Sequence, residues 1–205
     1  MASSAQAKKF IAEIAPIIQQ EAKNRGYKVC SPIIAQACIE SNYGISSLSA
    51  KYYNYFGMKC GSSWKGKSVN LATKEEYTVG TLTKIKDNFR VYENMLHGVK
   101  GYFDFINTKR YANLKTATTP KMYLEYIKKD GYATSSTYVN TNMNCINKWD
   151  LTKYDTIYET KSFDEVVQEV IDGKWGNGVE RMQRLRAAGF NPSMVQARVN
   201  ELLKK

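Results

Sequence analysis

A single histidine, His97, stands in 205 residues, and no two of the four cysteines (Cys30, Cys38, Cys60, Cys145) are spaced as Cys-x-x-Cys. A zinc centre is therefore not expected. No metal motif and no glycine-rich phosphate loop occurs, so no cofactor is expected either. No run approaches the ~18 consecutive apolar residues of a membrane span. The start, "MASSAQAKKFIAEIAP", has no apolar stretch between its lysines and Pro16, which argues against a secretory signal. The expectation is a chain that stays in the cytoplasm or leaves it by another route. Acids are scarce: 19 Asp/Glu face 30 Lys/Arg, a net charge of +11. Seven Lys/Arg and six Asp/Glu fall in residues 163–205, so nearly all of the excess lies before residue 163. Such a balance points to a polyanionic partner, namely nucleic acid, an anionic membrane or a wall polymer. No nucleic-acid reader motif accompanies the charge.

With 43% hydrophobic residues the chain can bury a real core. Residues 6–25 repeat apolar positions at helical spacing (Phe10/Ile11, Ile14/Ala15, Ile17/Ile18, Ala22), with a break expected near residue 15 because of Pro16. "SPIIAQACIESNYG" predicts a helix over about 32–42, with Ser31 as N-cap, Pro32 at the first helical position and Gly44 just past the end. Residues 69–92 turn to Thr, Val, Tyr and Ile with alternation, which predicts a β-hairpin or three short strands, with a candidate turn at residues 86–88. Helices resume in "ENMLHGVKGYFDFIN" and after Pro120. The polar stretch 151–162 reads as a linker between a first domain, 1–150, and a second, 163–205. The second domain predicts three short helices, with Ser162 and Glu165 as a capping box, Gly173 and Gly189 as stops, and Asn191-Pro192 as a start.

Glu40 closes the apolar run of the second helix. Ile33, Ala37 and Glu40 follow i, i+4, i+7, so the acid borders the buried face. The helix C-terminus disfavours a carboxylate by ~0.3–1 kcal/mol, under about one pKa unit. Partial burial can raise a carboxyl by several units, so burial is the larger effect. A carboxyl kept protonated at a cleft edge is what a general acid requires.

These residues carry a resemblance. "SPIIAQACIESNYGISSLSAKYYNYFGMK" is similar to the signature of bacterial β-N-acetylglucosaminidases of the glycoside hydrolase family 73 type, which cut peptidoglycan. Ser31, Ile34, Ala35, Gln36, Ala37, Glu40, Ser41, Gly44, Ser46, Leu48, Asn54, Phe56, Gly57 and Lys59 match; Ile39 and Met58 depart mildly. "TKE" at 73–75, "FRVY" at 89–92 and "GYATSSTYVN" at 131–140 follow in the family's order, so the resemblance covers roughly residues 8–150. It implies Glu40 as general acid and Glu75 as candidate base. Thr73 and Glu75 share one strand face, so a hairpin folded over the helix end could bring a carboxylate opposite Glu40. A separation of about 5 Å would indicate retention and about 6.5–9.5 Å inversion, and the substrate's acetamido group could itself attack. Ser41, Asn54, Tyr55, Thr73, Tyr132 and Tyr138 are the expected substrate contacts, tyrosine suiting a sugar's flat face and hydroxyl rim. Phe56 is expected in the core, and His97 is given no role.

The segment "VVQEVIDGKWGNGVERMQRLRAAGFNPSMVQARVNELL" resembles the CW_7 repeat, a wall-binding module of phage lysozymes. Arg181 and Arg198 are its expected contacts, since arginine forks hold carbonyl or carboxylate groups; Trp175 is expected in its core. The expected class is α+β, mainly α: a lysozyme-like domain with a small β-hairpin lobe and a C-terminal three-helix bundle. The expected protein is a monomeric phage-type endolysin whose partner is peptidoglycan, held in the host cytoplasm until a holin releases it to the wall. The competing expectations are a muramidase or lytic transglycosylase on the same fold, and a wall-binding protein without catalysis.

Overall fold

The computed structural model describes residues 2–62, 64–78, 81–155, 163–188 and 190–203; for 73–78, 81–85 and 187 it describes the backbone alone. The chain divides into two compact units, Met1–Tyr158 and Glu159–Lys205, each with its own apolar core.

In the first unit, α1 (Ser4–Asn24) is capped by Ser3, whose Oγ accepts from the Gln6 amide at 3.2 Å. It buries Phe10, Ile11, Ile14, Ala15, Ile18 and Ala22, the stripe its spacing predicts. The expected break at Pro16 does not occur. Ala12 and Pro16 lie on the exposed face, where solvent can take the carbonyl that the proline leaves without a donor. The next helix, α2 (Ser31–Glu40), is buried on every side from Ser31 to Cys38 and packs against α1 and later helices. An all-round apolar helix has to be central. Its N-cap is Cys30 rather than Ser31, and it ends at Glu40, short of the predicted residue 42. The amides of Cys30 and Ser31 both donate to Asp155 Oδ1 at 2.7 Å, and the Ser31 hydroxyl donates to Asp155 Oδ2 at 2.6 Å. The cap thus comes from 124 residues downstream.

A short helix, α3 (Ser47–Tyr52), precedes an antiparallel pair, β1 (Ser68–Thr78) and β2 (Thr81–Arg90), in register from Ser68 opposite Arg90 to Thr78 opposite Thr81, with an irregularity between Glu76 and Thr78. The turn expected at 86–88 is instead paired strand, opposite residues 70–72. The base of the hairpin is tied to the loop before it: the Arg90 amide donates to the Met58 carbonyl at 2.9 Å and the Cys60 amide to the Asn88 carbonyl at 2.8 Å. Then come α4 (Met95–Ile106), a 3-10 helix (Lys109–Thr116), α5 (Pro120–Lys129) and α6 (Tyr138–Trp149). Asn94 and Thr119 cap α4 and α5. The first part of the expected linker belongs to this unit. Leu151–Tyr154 form a 3-10 turn, Leu151 is fully buried, and Asp155 makes the cap just described. Residues 156–162, and with them the expected capping serine Ser162, lie outside the described residues.

The second unit holds α7 (Phe163–Ile171), α8 (Gly178–Ala187) and α9 (Pro192–Leu203), the three helices its sequence predicts. Val166, Val167, Val170, Leu185, Val195 and Val199 form its small core, with Trp175 packed against it. Gly173, at φ +78°, follows α7, and Asn191 Oδ1 accepts from the Ser193 amide at the start of α9. Gly189, the expected stop after α8, lies outside the described residues.

Candidate active site

Glu40 is the last residue of α2, and the chain turns away from it through Asn42, Tyr43 and Gly44, all at positive φ. Ser41 staples this corner. Its Oγ donates to the Ala37 carbonyl at 2.5 Å and accepts from the Gly44 amide at 2.8 Å. A second clamp brings the next loop to the acid. Asn54 Oδ1 accepts from the Met58 amide at 2.8 Å, and its Nδ2 donates to the Met58 and Arg90 carbonyls at 2.9 Å each. The clamped loop sets Gly57, at φ +62°, against the carboxyl. A Cβ there would lie 3.7 Å from Glu40 Oε2. Glycine fits both the backbone angle and the space.

Glu40 opens into a cleft of about 710 Å³, which Phe56, Arg90, Arg110 and Tyr132 also line. Solvent reaches the acid through the open side of the cleft, while protein crowds it from the others. Glu40 has no hydrogen-bond or ion-pair partner among the described residues. Desolvation therefore raises its carboxyl above the ordinary carboxylate range. The open face supplies the access, and the crowding sets the direction of the shift.

Below the cleft lies a buried polar network. Gln36, one helical turn before Glu40, donates from Nε2 to the Tyr138 hydroxyl at 2.6 Å and accepts at Oε1 from the Tyr102 hydroxyl at 2.7 Å. Tyr102 and Tyr123 share a hydrogen bond of 2.9 Å. Phe56 stacks on Tyr102 at 4.0 Å between ring centroids, and its carbonyl accepts from the Tyr132 hydroxyl at 3.3 Å. Burial pushes Tyr102, Tyr123, Tyr132 and Tyr138 upward, so they remain neutral phenols. Glu40 is close enough to Tyr132 and Tyr138 to add to their shifts.

Of the residues singled out from the sequence, the structure brings Glu40 and Tyr132 into one cleft. Tyr138 lies beneath it, 7% exposed. Ser41, Asn54 and Tyr55 do not line it; all three are buried, the first two spending their polar atoms on the staple and the clamp, and Tyr55 packing on Phe10. They build the site instead of touching its contents. Thr73 and Glu75 occupy β1 opposite Ile85 and Thr83, and their side chains lie outside the described residues. His97 pairs with Glu93 at 3.3 Å at the start of α4, away from the cleft lining.

In the second unit Arg181 lines a groove of about 590 Å³. Its Nε donates to the Gly176 carbonyl at 2.8 Å and its Nη2 to Asn177 Oδ1 at 2.6 Å. Arg198 is held by Glu201 at 2.6 Å and lies off that groove. Trp175 donates to Glu169 Oε2 at 3.0 Å. Sequence reasoning gave no role to Gln36, Arg90 or Arg110. Gln36 matched the family signature and Arg90 lies in the "FRVY" block, while Arg110 carries no local signal beyond its charge.

A mainly helical domain with a two-stranded lobe and an unpaired, desolvated carboxyl in a cleft is the architecture of a lysozyme-like glycoside hydrolase. The catalytic domain of the autolysin Auto from Listeria monocytogenes superposes with a TM-score of 0.62 at 27% identity, over 75% of this chain and 90% of that one. The family model described as mannosyl-glycoprotein endo-beta-N-acetylglucosaminidase matches residues 15–151, and the chain belongs to this glucosaminidase family. The CW_7 repeat matches residues 164–203. Peptidoglycan hydrolase FlgJ of Salmonella typhimurium is 35% identical over 111 residues, 52% of this chain and 35% of that protein. A lysozyme of Streptococcus phage Cp-7 is 54% identical over 42 residues, 20% of this chain and 12% of that one. The chain thus spans about a third of the length of the first of these relatives.

Proposed function

We propose that the chain hydrolyses the β-1,4 bond after N-acetylglucosamine in peptidoglycan, with Glu40 as general acid and Glu75 as candidate base. The observation that carries this reading is the Glu40 carboxyl, raised by desolvation and open to a cleft within a glucosaminidase domain. Protonated, it can donate to the oxygen joining two sugars as that bond breaks. The half-buried ring of Tyr132 in the cleft wall suits the apolar face of a sugar. Borohydride reduction of digested walls tests the bond: reduced N-acetylglucosamine ends are expected, and reduced N-acetylmuramic acid ends would replace this reading with a muramidase.

The biological setting proposed is a phage-type endolysin, monomeric, released to the wall by a holin from the host cytoplasm. The CW_7 match and the likeness of that segment to a phage lysozyme support it. In this reading the second unit holds the glycan-peptide of the wall, with Arg181 in its groove and Arg198 beside it as candidate contacts. Lysis of intact cells that requires co-expression of a holin would support it; lysis from inside without one would count against it.

A further inference from the structure

We propose that Arg110 binds a carboxylate of the substrate's peptide branch, so that the cleft selects peptide-bearing glycan and sets its position against Glu40; the inference rests on the glycosidase reading above. Among the described residues, three cations and one acid line this cleft: Lys59, Arg90, Arg110 and Glu40. Two of the cations are engaged. Lys59 pairs with Asp87 at 3.0 Å. Arg90 lies 4.8 Å over the Trp64 ring and donates from Nε to the Lys59 carbonyl at 2.9 Å.

Arg110 differs. Its Nε donates to the Asp130 carbonyl, and its guanidinium lies 5.4 Å from the Tyr111 ring centroid. Its η nitrogens have no acceptor, and no carboxylate is in ion-pair range, among the described residues. The anchoring fixes the fork while leaving its outer edge unused. Gly131 makes room for it: at φ +82° its Cβ would fall 2.2 Å from Arg110 Nη2. Tyr132, the next residue, lines the cleft with Glu40. A held guanidinium with unused parallel donors suits bidentate recognition of a carboxylate. In peptidoglycan, alternate sugars carry peptides that end in carboxylates, and a plain N-acetylglucosamine polymer has none. The charge of the cleft and the anchoring of Arg110 both favour the first.

The test uses the full chain and purified walls stripped of phosphate polymers. Half of the walls are treated with carbodiimide and excess methylamine, which turns their carboxylates into neutral amides. Release of reducing ends is followed at steady state for wild type, R110Q, R110K and the charge control K9Q; Lys9 is exposed and off the cleft. On native walls R110Q should raise KM about tenfold with kcat within about twofold, R110K should fall between, and K9Q should match wild type. On neutralised walls R110Q and wild type should coincide. Equal loss on both walls would make Arg110 a structural pin and overturn the proposal. So would no loss on native walls, or an equal loss in K9Q. If R110Q does not fold, R110K decides, with partial loss expected on native walls alone. Wild type releasing no reducing ends from either preparation would overturn the glycosidase reading itself.

Discussion

A carboxyl with no donor beside it is easier to keep protonated than one held by amides, and Glu40 is of the first kind. Because its folded pKa is raised, the folded state binds its proton more tightly than the unfolded chain does. The associated stability is full below the ordinary value of 4.5 and is lost as pH rises through the raised folded value. Glu40→Gln should therefore leave Tm unchanged in acid and raise it slightly near neutral pH, as a melting series over pH would read. The same substitution should lower the rate of reducing-end release by about 10²–10⁴-fold. In the wild type, kcat/KM should fall as pH rises through the raised Glu40 value. Gln36 is the second residue with a defined cost. Gln36→Leu strands the buried Tyr138 hydroxyl and should lose ~1–3 kcal/mol in denaturant unfolding.

The elements were unequally legible in the sequence. α1, α2 and the three helices of the second unit carry their signals locally, in apolar spacing and in Pro and Gly at their ends. Glu40 was found for the same reason, since its place on α2 and the signature around it lie within one run. Pro16 misled because proline on an exposed helix face costs less than the rule for interiors assumes. The cap of α2 and the Gln36–Tyr138 bond were invisible because their partners lie more than 100 residues apart. Asp155 looked like linker for that reason. Asp155→Ala should lower stability by ~1–2 kcal/mol in thermal or denaturant unfolding, since it uncaps two amides of a buried helix. A chain ending at residue 150 should lose more, because it also gives up buried Leu151, worth ~1.5–3 kcal/mol.

At the scale of the whole molecule, the chain has two separate cores. A chain ending at residue 158 should keep its rate on soluble glycan fragments and pellet with insoluble walls far less than the full chain does. If the second unit is the wall binder proposed above, the one repeat at residues 164–203 holds without avidity, so binding of this chain to walls should be modest. The +11 charge resides mainly in the first unit. Salt should therefore weaken the attraction of that unit to anionic walls even when the second unit is absent.

The aspartate that closes the top of the acid-bearing helix also sets a clock. On a ribosome, α2 leaves the exit tunnel long before residue 155 does. Until Asp155 arrives, the amides it will cap lack that acceptor, and the burial of α2 against the later helices is incomplete. A growing chain therefore lacks this acceptor, and the later helices that bury α2, until nearly all of the first unit has been made.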